Sequence, residues 1–83
     1  MHKKIPAFAV GEFVKAKNNE RARDFFQAVY WAIRAKCEFS DFISMTFEVQ
    51  EVQEGTERNG YWVASLDGGM RFKVPEEYCD FVY

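Results

Sequence analysis

The segment NNERARDFFQAVYWAIRAK, residues 18–36, has a strong amphipathic pattern and predicts the helix around which the fold is built. An asparagine followed by Glu20 is a helix-start signal, because the amide oxygen accepts a free backbone N–H and the acid complements the positive end of the helix dipole. Arg34 and Lys36 fall in the predicted last turn, where positive charge complements the opposite end of the dipole. At about 100° per residue, the apolar side chains fall within a wedge of about 120°, as in helices that pack on a sheet. They are Ala22, Phe25, Phe26, Val29, Ala32 and Ile33.

Three strands are predicted after this helix. In residues 43–50, ISMTFEVQ, apolar and polar side chains alternate, which is typical of a strand with one buried face. Residues 61–66 and 70–74 form the next two strands, separated by the turn DGG at residues 67–69, in which glycine accepts a positive φ. The stretch 54–60 is polar and rich in turn formers, so it connects the first strand to the second. The predicted inward-facing residues are Ile43, Met45, Phe47, Val49, Met70, Phe72 and Val74, and the outward-facing ones are Ser44, Thr46, Glu48, Gln50, Arg71 and Lys73.

The two ends of the chain complete the predicted architecture. Residues 7–17, AFAVGEFVKAK, have the pattern of a strand with Gly11 as a candidate bulge. Pro75 ends the sheet pairing because it has no backbone N–H, and residues 76–83 form either one helical turn or an arm laid against the body. The sequence therefore predicts an α+β fold of β-α-β-β-β order, with one helix packed on a largely antiparallel four-stranded sheet.

Length and composition predict a single domain over residues 1–83, with residues 1–6 as a tail and residues 75–83 as a C-terminal arm. Hydrophobic residues make up 48% of the chain and aromatic residues 18%, far above a disordered segment, so the chain should fold. No apolar window approaches the roughly 20 residues of a membrane span, and no signal-peptide core follows the N-terminus. We therefore expect a cytoplasmic protein, with Cys37 and Cys79 as reduced thiols.

The sequence offers few groups for catalysis. His2 is the only histidine and falls in the predicted tail, which cannot hold a catalytic geometry. Zinc needs about four ligands from cysteine, histidine or carboxylate, and Cys37 and Cys79 lack the paired spacing of a zinc site. The adjacent acids Glu76 and Glu77 lack the apolar surroundings that would raise a pKa. We expect no catalytic residue, no bound metal and no cofactor, so the chain is predicted not to be an enzyme.

Charge is unevenly distributed along the chain. Residues 1–36 hold eight lysines and arginines against three acids, whereas residues 37–83 hold three against ten. Such segregation is typical of a charged interaction face, unless the two halves lie side by side and their charges interleave on the folded surface. The charge pattern alone leaves both arrangements open.

Trp31 is the first candidate for contact with a partner. If the apolar stripe faces the sheet, Trp31 points away from it, near Gln27 and Arg34. Tryptophan and arginine contribute a large share of the binding energy at protein interfaces, so Gln27, Trp31 and Arg34 are predicted to bind a protein. In the alternative, the aromatic C-terminal arm folds over Trp31 and covers it.

A second candidate surface is acidic and consists of Glu48, Glu51, Glu54 and Glu57. These carboxylates would imitate a phosphate backbone and occupy a nucleic-acid-binding channel. Glu76, Glu77 and Asp80 extend this acidic run toward the C-terminus, but Arg58, Arg71 and Lys73 interrupt it. Ordinary cross-strand pairing of Glu48 with Arg71 or Lys73 is therefore the alternative. Direct nucleic-acid binding is less favoured, because the basic residues are expected on different faces and the sequence pI is about 5.4. Those basic residues are Lys15, Lys17, Arg21, Arg23 and Arg34.

A strand runs into a helix through VKAKNNERARDFF, residues 14–26, and is followed by acidic hairpins and many aromatic residues without a catalytic set. In this size and organisation, the chain resembles small phage-encoded inhibitors of host defence, such as anti-CRISPR proteins. The resemblance implies inhibition by occupying the surface of a host protein complex, in the host cytoplasm. It assigns no role to an individual residue.

We therefore expect a non-enzymatic protein-binding module. From the resemblance, it would be a viral inhibitor of a host defence complex, acting through the Trp31 surface or through acidic nucleic-acid mimicry. The alternatives are a small nucleic-acid-binding module and a homodimeric structural module joined through an open sheet edge or through Trp31. No membrane partner is expected.

Overall fold

The computed structural model describes residues 5–82, which form two α-helices, five β-strands and a 3₁₀ turn. This arrangement confirms the predicted α+β class. His2, most of the predicted tail and Tyr83 lie outside the described residues. No helix between residues 5 and 82 is long and apolar enough to cross a membrane. In chain order the elements are β1 (Phe13–Ala16), α1 (Glu20–Ala32), α2 (Phe39–Ile43), β2 (Phe47–Gln53), β3 (Gly60–Ser65), β4 (Arg71–Pro75), the 3₁₀ turn (Glu76–Tyr78) and β5 (Cys79–Phe81).

All five strands belong to one antiparallel sheet with the order β4-β3-β2-β1-β5. The prediction of four strands is therefore one strand short. The C-terminal segment forms the 3₁₀ turn and then β5, which pairs with β1 so that Asp80 lies opposite Lys15 and Cys79 opposite Ala16. Three residues are too few to show a two-residue period, so only the pairing with β1 identifies β5 as a strand.

The sheet is strongly curled, because the 3₁₀ turn joins its two outermost strands. Four residue steps separate Pro75 from Cys79, and an extended chain covers at most about 14 Å in that length. Four inter-strand spacings in a flat sheet would separate β4 from β5 by about 19 Å. The two edges therefore curve toward each other, and Tyr78 in the connecting turn packs against Phe25 of α1, with ring centroids 5.2 Å apart.

β1 is shorter than the strand predicted over residues 7–17. The Glu12 N–H donates to the Ala9 carbonyl (3.0 Å), and Gly11 has a φ of +93°, a conformation that disfavours a side chain. This turn interrupts the predicted strand, and regular pairing begins only at Phe13. Gly11 does mark an irregularity, as predicted, and its N–H donates to the Val49 carbonyl (2.9 Å).

α1 begins as predicted but ends earlier. The Asn19 side chain accepts the Ala22 N–H (2.8 Å), which confirms the predicted helix start. The helix ends at Ala32 because the chain leaves the helical conformation at Arg34, so the prediction that it continues to Lys36 is wrong. Arg34 and Lys36 lie beyond the last turn, which contains no basic residue. Ala22 is buried, Val29 and Ile33 pack against the core, and only Ala32 is exposed, so the predicted apolar stripe is confirmed except at Ala32.

A second helix lies where the sequence predicted a linker and the start of a strand. α2 covers Phe39–Ile43, so Ile43 ends a helix and β2 begins only at Phe47. Five residues are too few to show helical periodicity, and short helices depend on tertiary packing for their stability. Phe42 provides that packing, because its side chain is fully buried.

The centre of the core is a cluster of four phenylalanines from four different elements. Phe26 of α1, Phe42 of α2, Phe47 of β2 and Phe72 of β4 contact one another in every combination, with ring centroids 5.0 to 6.3 Å apart. Such edge-on and tilted arrangements are favoured between aromatic rings. The cluster therefore joins both helices to the inner face of the sheet.

The hairpin between β3 and β4 has the predicted turn. Gly68 has a φ of +76°, which explains the glycine at this position. The Ser65 hydroxyl donates to Asp67 Oδ1 (2.6 Å), and the Gly69 N–H donates to the same oxygen (2.8 Å). These two hydrogen bonds stabilise the carboxylate and hold the pKa of Asp67 below its usual value.

Candidate protein-binding surface

Trp31 lies at the C-terminal end of α1 with 69% of its surface exposed. Its ring packs edge-on against Tyr30, with centroids 5.5 Å apart. Tyr30 is itself fixed, because its hydroxyl donates to the Cys37 carbonyl and its ring contacts Phe39 and Phe42 of α2. The exposed indole therefore rests on a side chain that is anchored in the core.

Residues 76–82, the described part of the C-terminal segment, do not cover Trp31. Tyr78 packs against Phe25 near the start of α1, and Phe81 packs against Phe8, with ring centroids 4.9 Å apart. Both contacts hold the segment along the sheet edge. Within residues 5–82, the structure therefore matches the exposed alternative for Trp31.

Arg34 has a rare backbone conformation directly after α1. Its φ of +53° is the only positive value at a non-glycine residue in the described part of the chain. The Arg34 N–H donates to the Trp31 carbonyl (3.2 Å), and the Ala35 N–H donates to the Tyr30 carbonyl (3.1 Å). This is the Schellman ending of a helix, in which glycine usually occupies the position of Arg34 because a Cβ costs about 1–2 kcal/mol there. The backbone at Arg34 is therefore strained in a way that glycine would relieve.

Gln27 lies one helical turn before Trp31 and is also exposed. We refer to Gln27, Trp31 and Arg34 together as the helix-end surface. No hydrogen bond or ion pair joins the side chain of Gln27 or Arg34 to another residue between positions 5 and 82. The polar groups of Gln27 and Arg34, which lie within one helical turn of Trp31 along the chain, are therefore available to a partner.

The four acids of the second candidate surface lie elsewhere. Glu48 and Glu51 are on the outer face of the sheet, which is turned away from α1 and the core, whereas Glu54 and Glu57 are in the loop between β2 and β3. The structure therefore does not bring the acids and Trp31 into one site. They form two separate candidate surfaces.

Acidic and basic side chains are interleaved on the outer face. Arg71 stacks over the ring of Trp62, with its guanidinium carbon 4.5 Å from the ring centroid, and its Nε donates to the Gln50 side chain (3.0 Å). The suggested pairing of Glu48 with Arg71 or Lys73 is wrong, because Arg71 binds Gln50 and Trp62 instead and no ion pair joins Glu48 to Arg71 or Lys73 within residues 5–82. This mixture of charges makes the outer face less similar to a phosphate backbone than the sequence run suggested.

A partly buried polar network ties the N-terminal segment to the end of β4. Glu76 Oε1 accepts the Ala7 N–H (2.8 Å), the Tyr61 hydroxyl and, at 3.5 Å, the Asn59 side-chain amide. Burial and the hydrogen bond to Glu76 raise the pKa of Tyr61 well above its usual value. Sequence reasoning missed this network because Asn59 and Glu76 had the pattern of turn and surface residues. Its contacts hold the fold together.

The described residues show no arrangement of groups for metal chemistry. No three histidine, cysteine, aspartate or glutamate side chains between residues 5 and 82 are placed to hold a metal ion. Cys79 is buried, and burial raises the pKa of its thiol to about 12, which keeps it protonated. Cys37 is half-buried and also a free thiol.

Two cavities were not anticipated from the sequence. An open cleft of about 370 Å³ lies between Phe25, Arg58 and Lys73. A second cavity, of about 220 Å³, is lined by Lys15, Lys17 and Arg23, among others. The expectation that the basic residues lie on different faces is therefore wrong for these three, because the turn between β1 and α1 brings them together. Neither cavity has a local sequence signal, since each combines segments that are distant along the chain.

Both edges of the sheet carry features that discourage pairing with another strand. At the β4 edge, Pro75 has no N–H to donate, and Lys73 adds a charge. At the β5 edge, the Phe81 N–H is already bound to Asp80 Oδ1 (2.9 Å). These features do not favour the alternative of a homodimer joined through a sheet edge.

In comparisons with known proteins, no family model matched the chain, and no curated protein or solved structure gave a significant match.

Proposed function

We propose that the chain is a non-enzymatic protein-binding module and that the helix-end surface is its contact. The observation that carries the proposal is the exposure of Trp31 on a rigid support. An isolated exposed tryptophan adds apolar surface that a partner would remove from water, and its anchoring through Tyr30 means that little side-chain freedom is lost on binding. Tryptophan beside arginine is also the composition of interface hot spots.

The backbone of Arg34 supports the same surface. A residue held in a disfavoured conformation is a reason to look for a role of its side chain. Arg34 is three residues after Trp31, and its guanidinium has five N–H donors that no residue in the described part of the chain uses. We infer that these donors bind acceptors on the partner next to the pocket that receives the indole.

The identity of the partner is a further step of the proposal. The resemblance to small phage-encoded inhibitors supports a host defence complex as the partner, with the chain as a viral inhibitor that occupies its surface. The mixed charges of the outer face favour the helix-end surface over acidic mimicry as the means of contact.

The test is affinity capture from a nuclease-treated bacterial lysate, with the wild-type chain and variants immobilised at equal density. Trp31→Ala is the test variant. Leu66→Ala is the matched control, because Leu66 is another exposed apolar side chain (65%) and belongs to the hairpin between β3 and β4, not to the helix-end surface. We expect a stoichiometric protein partner with the wild type and with Leu66→Ala, and its loss with Trp31→Ala. A partner that Trp31→Ala retains fully would contradict the assignment of the surface, and the absence of any partner would contradict the function.

A further inference from the structure

The cavity of about 220 Å³ lies where four segments meet: the end of β1, the start of α1, the end of α2 and β5. Its polar lining combines basic and uncharged side chains with one acid. These residues are Lys15, Lys17, Asn18, Arg23, Ser44 and Asp80. The cavity lies near the start of α1, whereas the helix-end surface lies at its other end, so the two are independent sites.

The charges around this cavity are positive on balance. Lys15, Lys17 and Arg23 contribute three cations, and Asp80 is the only acid among the lining residues. Asp80 is already engaged, because it lies directly opposite Lys15 in the sheet and its Oδ1 accepts the Phe81 N–H (2.9 Å). Within a chain of net charge −2, the cavity is therefore a local concentration of positive charge.

Two of the cations have no partner of their own. The side chains of Lys17 and Arg23 make no hydrogen bond or ion pair with any other residue in the range 5–82, and neither does that of Asn18. Like charges held close together repel, so an anion between them would remove a cost as well as gain new hydrogen bonds. The lysine ammonium, the guanidinium and the asparagine amide are all donors, as a ligand with several acceptor oxygens requires.

We propose that this cavity binds a phosphate group. A phosphate carries negative charge on oxygens that point in several directions, so it can accept hydrogen bonds from Lys17, Asn18 and Arg23 at once. A cavity of about 220 Å³ leaves room for such a group with some of its water. The phosphate can belong to a small phosphorylated compound or to a nucleic-acid backbone, since the recognition chemistry is the same.

The proposal is tested by following backbone amide signals in NMR spectra while inorganic pyrophosphate is added at constant ionic strength. We expect saturable shifts at residues 15–18, Arg23 and Ser44. Lys17→Ala/Arg23→Ala should weaken the apparent affinity by about tenfold or more, because it removes two charge-assisted contacts. Arg21→Ala is the matched control, since it removes one cation from the first turn of α1 but does not line the cavity. It should bind pyrophosphate like the wild type.

Three outcomes would overturn the proposal: shifts spread over all basic residues, an equal response to acetate at the same ionic strength, or unchanged affinity in the double variant. Because the substituted side chains are exposed, each variant should keep the wild-type unfolding temperature, which confirms that a loss of binding is not a loss of fold. A single-stranded oligonucleotide then separates the two sources. If the oligonucleotide shifts the same amide signals, the ligand is a nucleic-acid backbone. The logarithm of its affinity should then fall against the logarithm of the salt concentration with a slope of about −2, as expected for three cations. If only pyrophosphate binds, the ligand is a small phosphorylated compound.

Discussion

Replacing Arg34 by glycine should stabilise the fold while it weakens binding. At a φ of +53°, the Cβ of Arg34 costs about 1–2 kcal/mol, which glycine would recover. Glycine also gives the unfolded chain more freedom, which offsets about 0.5–1 kcal/mol of that gain. The net expectation is an increase of about 0.5–1 kcal/mol in the free energy of unfolding. For a domain of this size, this corresponds to a rise of about 2–8 °C in unfolding temperature.

Arg34→Ala separates the backbone effect from the side-chain effect. Alanine removes the same guanidinium but keeps the Cβ, so it should leave the free energy of unfolding within about 0.5 kcal/mol of the wild type. The two variants are compared by urea unfolding, in which the midpoint should rise for Arg34→Gly with an unchanged slope. In the capture experiment, both variants should lose the partner to the same extent.

Two results would refute this reasoning. If Arg34→Gly is no more stable than Arg34→Ala, the backbone at residue 34 carries no strain that glycine relieves. If Arg34→Gly is more stable and still recovers the partner like the wild type, the side chain of Arg34 does not take part in binding. The stability and capture measurements therefore test the conformation and the function separately.

Three further predictions concern the core, the pH dependence and the polar network. Phe42→Ala should lower the free energy of unfolding, measured with urea, by about 3–5 kcal/mol, because the Phe42 ring contacts all three other members of the phenylalanine cluster. A loss below about 1 kcal/mol would mean that α2 adds little to the stability of the fold. The free energy of unfolding should fall as pH rises above about 9, because the thiol of Cys79 ionises there in the unfolded chain, whereas burial raises its pKa in the folded protein to about 12. Cys79→Ala should show a smaller fall in this free energy between about pH 8 and pH 10. A fall identical to that of the wild type would contradict the assignment to Cys79. Glu76→Ala should release the N-terminal segment, because Ala7 and Tyr61 both donate hydrogen bonds to Glu76. Limited proteolysis should then cut the chain near Phe8 faster in Glu76→Ala than in the control Glu77→Ala. Equal cleavage rates would show that Phe8 alone holds the segment.

The sequence by itself determined the elements whose signals are local. The start of α1 at Asn19, the turn at Gly68 and the alternation of Phe47 and Val49 depend on neighbouring residues, and the structure confirms each of them. Helical periodicity also predicted that Trp31 points away from the core, but only the tertiary structure decided that residues 76–82 leave it exposed.

Only the tertiary structure decided the elements that are too short to show a period. α2 has five residues and β5 has three, and each is held by contacts with distant parts of the chain: Phe42 by the phenylalanine cluster, and Cys79–Phe81 by pairing with β1. The curl of the sheet follows from that pairing, since the 3₁₀ turn must connect two outer strands across a short distance. The cavity lined by Lys17 and Arg23 likewise exists only because β1, α1, α2 and β5 meet there. Sites of this kind depend on how segments are placed in space, which no local pattern of residues encodes.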